Sequence, residues 1–267
     1  MNRYMKENLK LWNELAEIHK HAAFYDLEGF KSGKSTLKSI ELEEMGDVKG
    51  KSILHLQCHF GLDTLCWARM GAAVTGVDFS DKAIALAKSL SQELKIDANF
   101  ICTDTYELPK ILKGQFDFIF TSYGVLCWLP NLKDWGSVIA HFLKPKGIFY
   151  IVELHPFGYI FDDDRDATSL KVRCSYFHSP QPKKWEPDGS YADRKAKVTH
   201  PSYEWTHTMS DIINAIISCG LKIEFIHEFP YSVVSTFPFM EKGEDGWWRL
   251  KGKAKTIPLM FSLKATK

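Results

Sequence analysis

The residues best placed to do chemistry lie in ILHLQCHFGLDTLCWARMGAAVTGVDFS, residues 53–80, where one apolar run breaks into a turn and a second ends on Asp78. A strand that ends in a tight turn and opens a helix is the ligand-binding edge of a doubly wound sheet. An acidic residue about 20 positions later accepts hydrogen bonds from ribose hydroxyls. Asp78 is therefore the ribose-binding candidate, the plainer alternative being a strand-end turn or a helix cap. The turn itself, Gln57, Cys58, His59, Phe60 and Gly61, holds a single glycine. A dinucleotide needs G-x-G-x-x-G, so that its pyrophosphate can approach bare backbone at a helix N-terminus. Side chains at Gln57 and His59 would crowd a pyrophosphate, whereas a phosphate-free cofactor with an amino-acid end needs only the tight turn. The residues favour S-adenosylmethionine over NAD.

Two further groups follow the run IFYIVEL. Glu153 and His155 leave the same sheet edge, and His155 is a candidate general base because an imidazole titrates near neutrality. The aromatics Tyr123, Trp128, Tyr176, Trp185, Tyr191, Tyr203 and Trp205 offer π faces to a sulfonium or an acceptor, or else simply pack a small core. Other patterns are decoys. GFKSGKS lacks the first glycine of a phosphate-binding loop, Glu28 standing in its place, and no strand precedes it. The histidines form no H-E-x-x-H or similar cluster, so no metal is expected.

The elements that must hold these residues are legible from pattern. SILHLQ, AAVTGVD, NFICT, FDFIFTS and IFYIVEL read as buried strands, with helices at Leu62 to Met70 and Asp81 to Lys95, the second opened by Ser80 as N-cap. Alternating strand and helix predicts a parallel, Rossmann-like sheet with right-handed crossovers. Ahead of it, Leu11, Trp12, Leu15, Ile18 and His19 recur at helical spacing, and the aromatic stretch HAAFYDLEGFKSG follows. After Leu154 the rhythm breaks. Residues 156–208 read as an insertion in which KVRCSYFHS, GSYADRKAKV and PSYEW form short antiparallel strands. A helix from about Asp211 to Cys219, a strand LKIEFIHEF and a strand IPLMFSLKA close the chain.

HLQCHFGLDTL followed by GAAVTGVDFS resembles motif I and the second strand of the class I S-adenosylmethionine-dependent methyltransferases. The HLQCHFG form is similar to that of an uncharacterised bacterial subgroup, and the likeness extends through FYDLEGFKSG, TSYGVLCWLP, LKPKG, EFPY and FSLKA. His55 stands at the usual acidic position, Gln57 and His59 replace two glycines, and Gly61 keeps the third. The resemblance implies an α/β fold with a doubly wound, mostly parallel seven-stranded sheet whose last strand is antiparallel, interrupted by an antiparallel insertion after the fifth strand. It implies Asp78 as ribose ligand, Phe79 as a wall of the adenine pocket, Asp104 as acceptor for the adenine amino group, and Thr105 as a backbone contact, with Ser80 and Thr103 beside them. Gln57, Cys58, His59 and Gly61 would line the methionine end from above, and Ser122 and Tyr123 from below, Tyr123 joining His155 as a catalytic candidate. With the acid lost at position 55, a backbone carbonyl near Gln57 is the expected holder of the methionine ammonium.

The expected reaction is in-line displacement of the sulfonium methyl by a small-molecule nucleophile. A thioether leaves without a proton, so alignment and exclusion of water supply most of the acceleration and no obligatory base encodes the acceptor. A non-catalytic S-adenosylmethionine-binding protein and an NAD-linked oxidoreductase are the alternatives. Bulk properties agree with an ordinary globular chain: 267 residues read as one domain, with 1–45 as N-terminal helix and lid and 156–208 as substrate cover. A net charge of +1 gives no global field for nucleic acid or anionic membrane, and oligomeric state stays open. Six scattered cysteines without a CxxC pair, no signal-peptide core and no apolar run of about 18 residues point to the cytoplasm.

Overall fold

The computed structural model describes residues 1–252 and 256–267. The N-terminal part is helical: α1 (Arg3–His19), α2 (Leu27–Lys31) and α3 (Ser39–Met45). The α/β pattern then runs β1 (Ser52–Leu56), α4 (Leu62–Arg69), β2 (Ala73–Asp78), α5 (Asp81–Leu94), β3 (Asn99–Cys102), α6 (Leu108–Ile111), β4 (Phe116–Ser122), α7 (Leu132–Phe142) and β5 (Leu143–Leu154). The insertion holds β6 (Lys183–Trp185) and β7 (Ser202–Glu204), and the chain ends through α8 (Met209–Ser218), β8 (Lys222–Phe229), β9 (Met240–Lys242), β10 (Trp248–Leu250) and β11 (Met260–Thr266).

One seven-stranded sheet, in the order β3-β2-β1-β4-β5-β11-β8, organises the molecule. Strands β1 to β5 pair parallel, and β11 runs antiparallel to both β5 and β8, as expected. Both faces are covered because alternate residues of each strand point to opposite sides. Ile53, Phe118, Phe120 and Tyr150 face one apolar layer with Trp67 and Phe100. Leu54, Ile119, Phe149 and Ile151 face the other, with Trp135, Phe142 and Ile216. Strand order reverses between β1 and β4, so a crevice opens at their carboxyl ends.

Helix starts follow side-chain capping. Ser80 accepts from Ala83 N as foreseen, and Thr208 and Asp211 form a capping box that starts α8 two residues earlier than the sequence pattern indicated. Helix α7 was not foreseen. It begins at Asn131, whose side chain accepts from Asp134 N.

Helix α1 lies across the crevice and ties distant segments together. The Asn8 amide donates to Tyr203 O at 2.7 Å and accepts from Tyr203 N at 2.8 Å, while Glu14 accepts from Thr199 and His200 N. Asn13 accepts from the Ser80 hydroxyl at 2.6 Å. No described helix is long and apolar enough to cross a membrane.

The insertion differs from expectation. Of its three anticipated strands only PSYEW forms one, pairing with KKW; KVRCSYFHS contributes a single bridge, Phe161 to Val172. GSYADRKAKV is a succession of turns, because Gly189 takes φ +72° and Ser190 and Asp193 bond each other's backbone. A second excursion, between β8 and β11, carries the β9–β10 hairpin over its own small core of Phe237, Met240, Leu250 and Leu259.

Candidate functional site

The turn after β1 is a run of left-handed backbone. Gln57, His59 and Gly61 take φ of +57°, +51° and +77°, although left-handed geometry costs a non-glycine residue roughly 1–2 kcal/mol. Three bonds hold it: Cys58 N donates to Val77 O at 2.9 Å, His59 N to Asp78 Oδ2 at 2.9 Å, and Gln57 Nε2 to Val125 O at 3.0 Å. Gly61 has no such freedom, since a Cβ there would lie 2.5 Å from the Phe100 ring. This explains why only the third glycine of the motif remains.

Asp78 ends β2 with its other oxygen accepting from Ser80 N at 2.9 Å, so it is at once a turn residue and a carboxylate at the crevice. Burial pushes its acid up to about 6 against the pull of those backbone N–H groups. Phe79 follows half-buried, and Thr103 N donates to Asp78 O, which sets β3 beside it. Asp104 accepts from Tyr106 N and caps the short turn opened by Thr105. An open cleft of about 190 Å³ lies over Asp104, walled by Met5, Tyr106 and Asn131.

Other expected residues sit differently. The Cys58 thiol is turned into the core, where a Cβ on Gly76 would come within 2.9 Å of it, so only its backbone serves the turn. His55 is a core residue: Nδ1 meets Thr64 Oγ1 at 2.8 Å, and burial lowers its pKa to about 3, leaving a neutral ring. Ser122 bonds Asp63 at 3.3 Å, and Tyr123 takes φ +40° with its ring packed against the core. Burial drives the Tyr123 phenol well above its ordinary pKa, which makes it a hydrogen-bond donor and a poor base.

His155, expected as a general base, is committed elsewhere. Its Nδ1 accepts from Phe157 N at 3.1 Å and its Nε2 meets Glu228 at 2.9 Å, so it caps the Pro156–Ile160 turn. Its neighbour Glu153 is the functional-looking acid: its carboxylate accepts from the backbone N–H of Gly124, Val125, Leu126 and Leu154 and so pins the loop after β4.

Sequence reasoning gave residues 1–45 as helix and lid but missed which side chains of α1 meet the turn. Trp12 and His19, noted only as part of an apolar stripe, meet the turn directly. Ring centroids of Trp12, His19, Tyr25 and Phe60 lie 5.3, 5.1, 5.6 and 4.3 Å from that of His59, and Trp128 closes on Trp12 at 5.2 Å. His19 Nδ1 meets His59 Nε2 at 3.0 Å. Burial pulls the pKa of His19 to about 3 and that of His59 well down, so this aromatic box carries no charge. Among the described residues Trp12 Nε1, Gln57 Oε1, His59 Nδ1 and Tyr123 Oη are buried without partners. Buried polar groups are rarely left so, and several facing one crevice mark a place for a polar ligand.

A separate, partly open space of about 60 Å³ lies under the insertion, between Cys127, Glu153, Tyr159, Trp185, Glu204 and Trp205. Two arginines of the insertion are engaged by carboxylates: Arg165 pairs with Asp188 at 2.6 Å, and Arg173 with Asp162 and Asp164 at 3.1 and 2.7 Å. All six cysteines are free thiols.

Residues 54–151 match a methyltransferase domain. The chain is 32% identical over 131 residues to an uncharacterized methyltransferase of Synechocystis sp., a match covering 48% of this chain and 59% of that protein. It is 29% identical over 154 residues to a ubiquinone biosynthesis O-methyltransferase of Saccharophagus degradans, covering 55% and 65%. The chain thus spans less than two thirds of the length of either relative. An S-adenosylmethionine dependent methyltransferase from Mesorhizobium loti shares the fold with a TM-score of 0.59 at 19% identity, over 89% of this chain and 100% of that one. From β1 into β5 the chain thus resembles a methyltransferase domain, and its fold is that of a solved S-adenosylmethionine dependent methyltransferase.

Proposed function

We propose that the whole protein transfers the methyl group of S-adenosylmethionine to a small-molecule acceptor. The observation that carries this reading is the left-handed turn locked onto Asp78 at the switch point, with unpartnered polar atoms of Gln57, His59 and Trp12 around it. The bound cofactor supplies a methyl group on a sulfonium whose leaving thioether needs no proton. In this reading the residues of the chain bind and align. Asp78 accepts from the ribose hydroxyls, Phe79 walls the adenine, and Asp104 with Thr103 and Thr105 meets its polar edge. Gln57, His59 and Gly61, with the Cys58 backbone and Ser80, frame the turn, and Ser122 and Tyr123 support the opposite end. The HLQCHFG form of the turn marks the subgroup to which the chain would belong. Wild-type protein should bind S-adenosylhomocysteine with micromolar affinity in titration calorimetry; absence of binding overturns the reading, and binding without any methylated product from a broad metabolite panel would leave a binding protein in its place.

Residues 1–45 act in this reading as a lid, and 156–208 as the acceptor cover. Trp12, His19 and Tyr25 overlie the turn, and excluding water is what a lid contributes. The acceptor space is the cavity between Trp185 and Glu204. Because one relative is an O-methyltransferase, hydroxyl acceptors are the first to screen. Trp205 is 3% exposed and too deeply packed for a clean test, so Trp185→Ala is the better variant. S-adenosylhomocysteine affinity should stay within about threefold, under 1 kcal/mol, while turnover of the acceptor found in the screen drops at least about tenfold. Equal loss of both would assign the insertion to the cofactor site.

A further inference from the structure

The proposed reading leaves the cofactor's ammonium with a backbone carbonyl near Gln57 and no acid, since position 55 carries a neutral histidine. Next to the end of β4, on the α3 and α4 side, lies a set of acidic groups that make no ion pair among the described residues. Asp63, in the first turn of α4, accepts from the hydroxyls of Thr36 and Ser122. Glu41 of α3 is 0% exposed, and neither of its carboxylate oxygens has a partner. The Tyr123 hydroxyl lies beside Glu41 and within electrostatic reach of Asp63 without an aligned hydrogen bond, so it too is unpartnered. Among the described residues, exposed Lys38 is the basic side chain that acts on Asp63, and Tyr25 approaches from the lid.

Burying carboxylates in this way is costly unless a cation or a donor neutralises them. The cost is visible: burial and the charge of Asp63 push the Glu41 acid up to about 7. A metal does not answer the need. The one group of three ligating residues close enough to hold an ion, among the described residues, is Asp162 to Asp164, far along the chain and already paired with Arg173. A primary ammonium does: it offers three N–H donors, and the Glu41 and Asp63 carboxylates, with the oxygen of the Tyr123 phenol whose own O–H points to Glu41, offer three acceptors from three different parts of the chain. The position also fits. Ser122 and Tyr123 belong to the strand end that meets the turn through the bond from Gln57 to Val125.

We propose that Glu41, Asp63 and Tyr123 bind the ammonium of the amino-acid moiety of S-adenosylmethionine, taking over from the acid missing at position 55. This rests on the function proposed above. The assignment replaces the backbone carbonyl near Gln57 as the main holder, and it makes α3, outside the matched domain, part of the cofactor site.

The test compares two nucleosides by calorimetry: S-adenosylhomocysteine, which carries the amino-acid group, and 5′-methylthioadenosine, which lacks it. Wild-type protein should bind the first more tightly. In Asp63→Asn and in Glu41→Gln the affinity for S-adenosylhomocysteine should fall at least about tenfold, with methylthioadenosine unchanged within about twofold. The methylthioadenosine arm also reports that each variant is folded. Equal loss of both ligands, no loss of either, or tighter S-adenosylhomocysteine binding, as removal of an acid near a bound carboxylate would give, overturns the assignment. Wild-type protein that binds neither nucleoside overturns the proposed function itself.

Discussion

Asp78→Ala is expected to weaken S-adenosylhomocysteine binding by at least about tenfold, because charge-assisted bonds to ribose hydroxyls contribute roughly 1.5–3 kcal/mol each. The same change should lower stability by about 1–3 kcal/mol, since His59 N and Ser80 N lose their acceptor. Asp78→Asn removes the charge but can keep only one of the two backbone bonds, so its stability loss should be smaller than that of Asp78→Ala. The wild-type protein adds a pH signature. Asp78 titrates near 6, above the ordinary carboxylate range, so the native state holds its proton more tightly than the unfolded chain does. Between about pH 4 and 6 this group therefore makes stability fall as pH rises, and its ribose bonds strengthen over the same rise. Methylthioadenosine is the ligand to use, because it does not report on Glu41. Affinity for it that is flat from pH 5 to 8, or unchanged in Asp78→Ala, would remove Asp78 from the ribose site.

The second large effect is expected at Glu153. Four backbone N–H groups converge on one buried carboxylate, at residues 124, 125, 126 and 154. Glu153→Gln turns an –NH2 toward groups that are themselves donors, and leaving buried groups unsatisfied costs about 1–3 kcal/mol each. A loss of roughly 3–5 kcal/mol in urea unfolding is expected. Hydrogen exchange should show where it goes: amides 124–126 should lose protection well before those of β4. Uniform protection across the loop in a variant of undiminished stability would mean that the carboxylate is not what holds it.

Much of this molecule is written locally. Buried strands announce themselves as apolar runs such as FDFIF, a cap such as Ser80 acts within three residues, and Asp78 stands at a spacing that topology fixes. What could not be read depends on distant partners. The stripe of α1 says that Trp12 and His19 face inward and is silent on what they meet, which is His59, about forty positions away. Glu41 reads as one acid among several in IELEEM, and only the packing of α3 against the sheet strips it of solvent. His155 shows the opposite error. A histidine at a sheet edge reads as chemistry, yet the amide two residues on and Glu228 occupy its nitrogens. In the insertion, KKW and SYE have too few residues to alternate visibly, and the arginines find carboxylates within their own excursion.

The clasp that Asn8 and Glu14 make on Tyr203, Thr199 and His200 has a bearing on biosynthesis. At ribosomal rates of about 5–20 residues per second, α1 waits on the order of 10–40 s after leaving the exit tunnel before its partners exist. During that interval α1 can pack only on segments made earlier, through Trp12 on His59 and Asn13 on Ser80. The clasp therefore closes late, once the insertion has emerged, while the sheet itself still waits for β8 and β11.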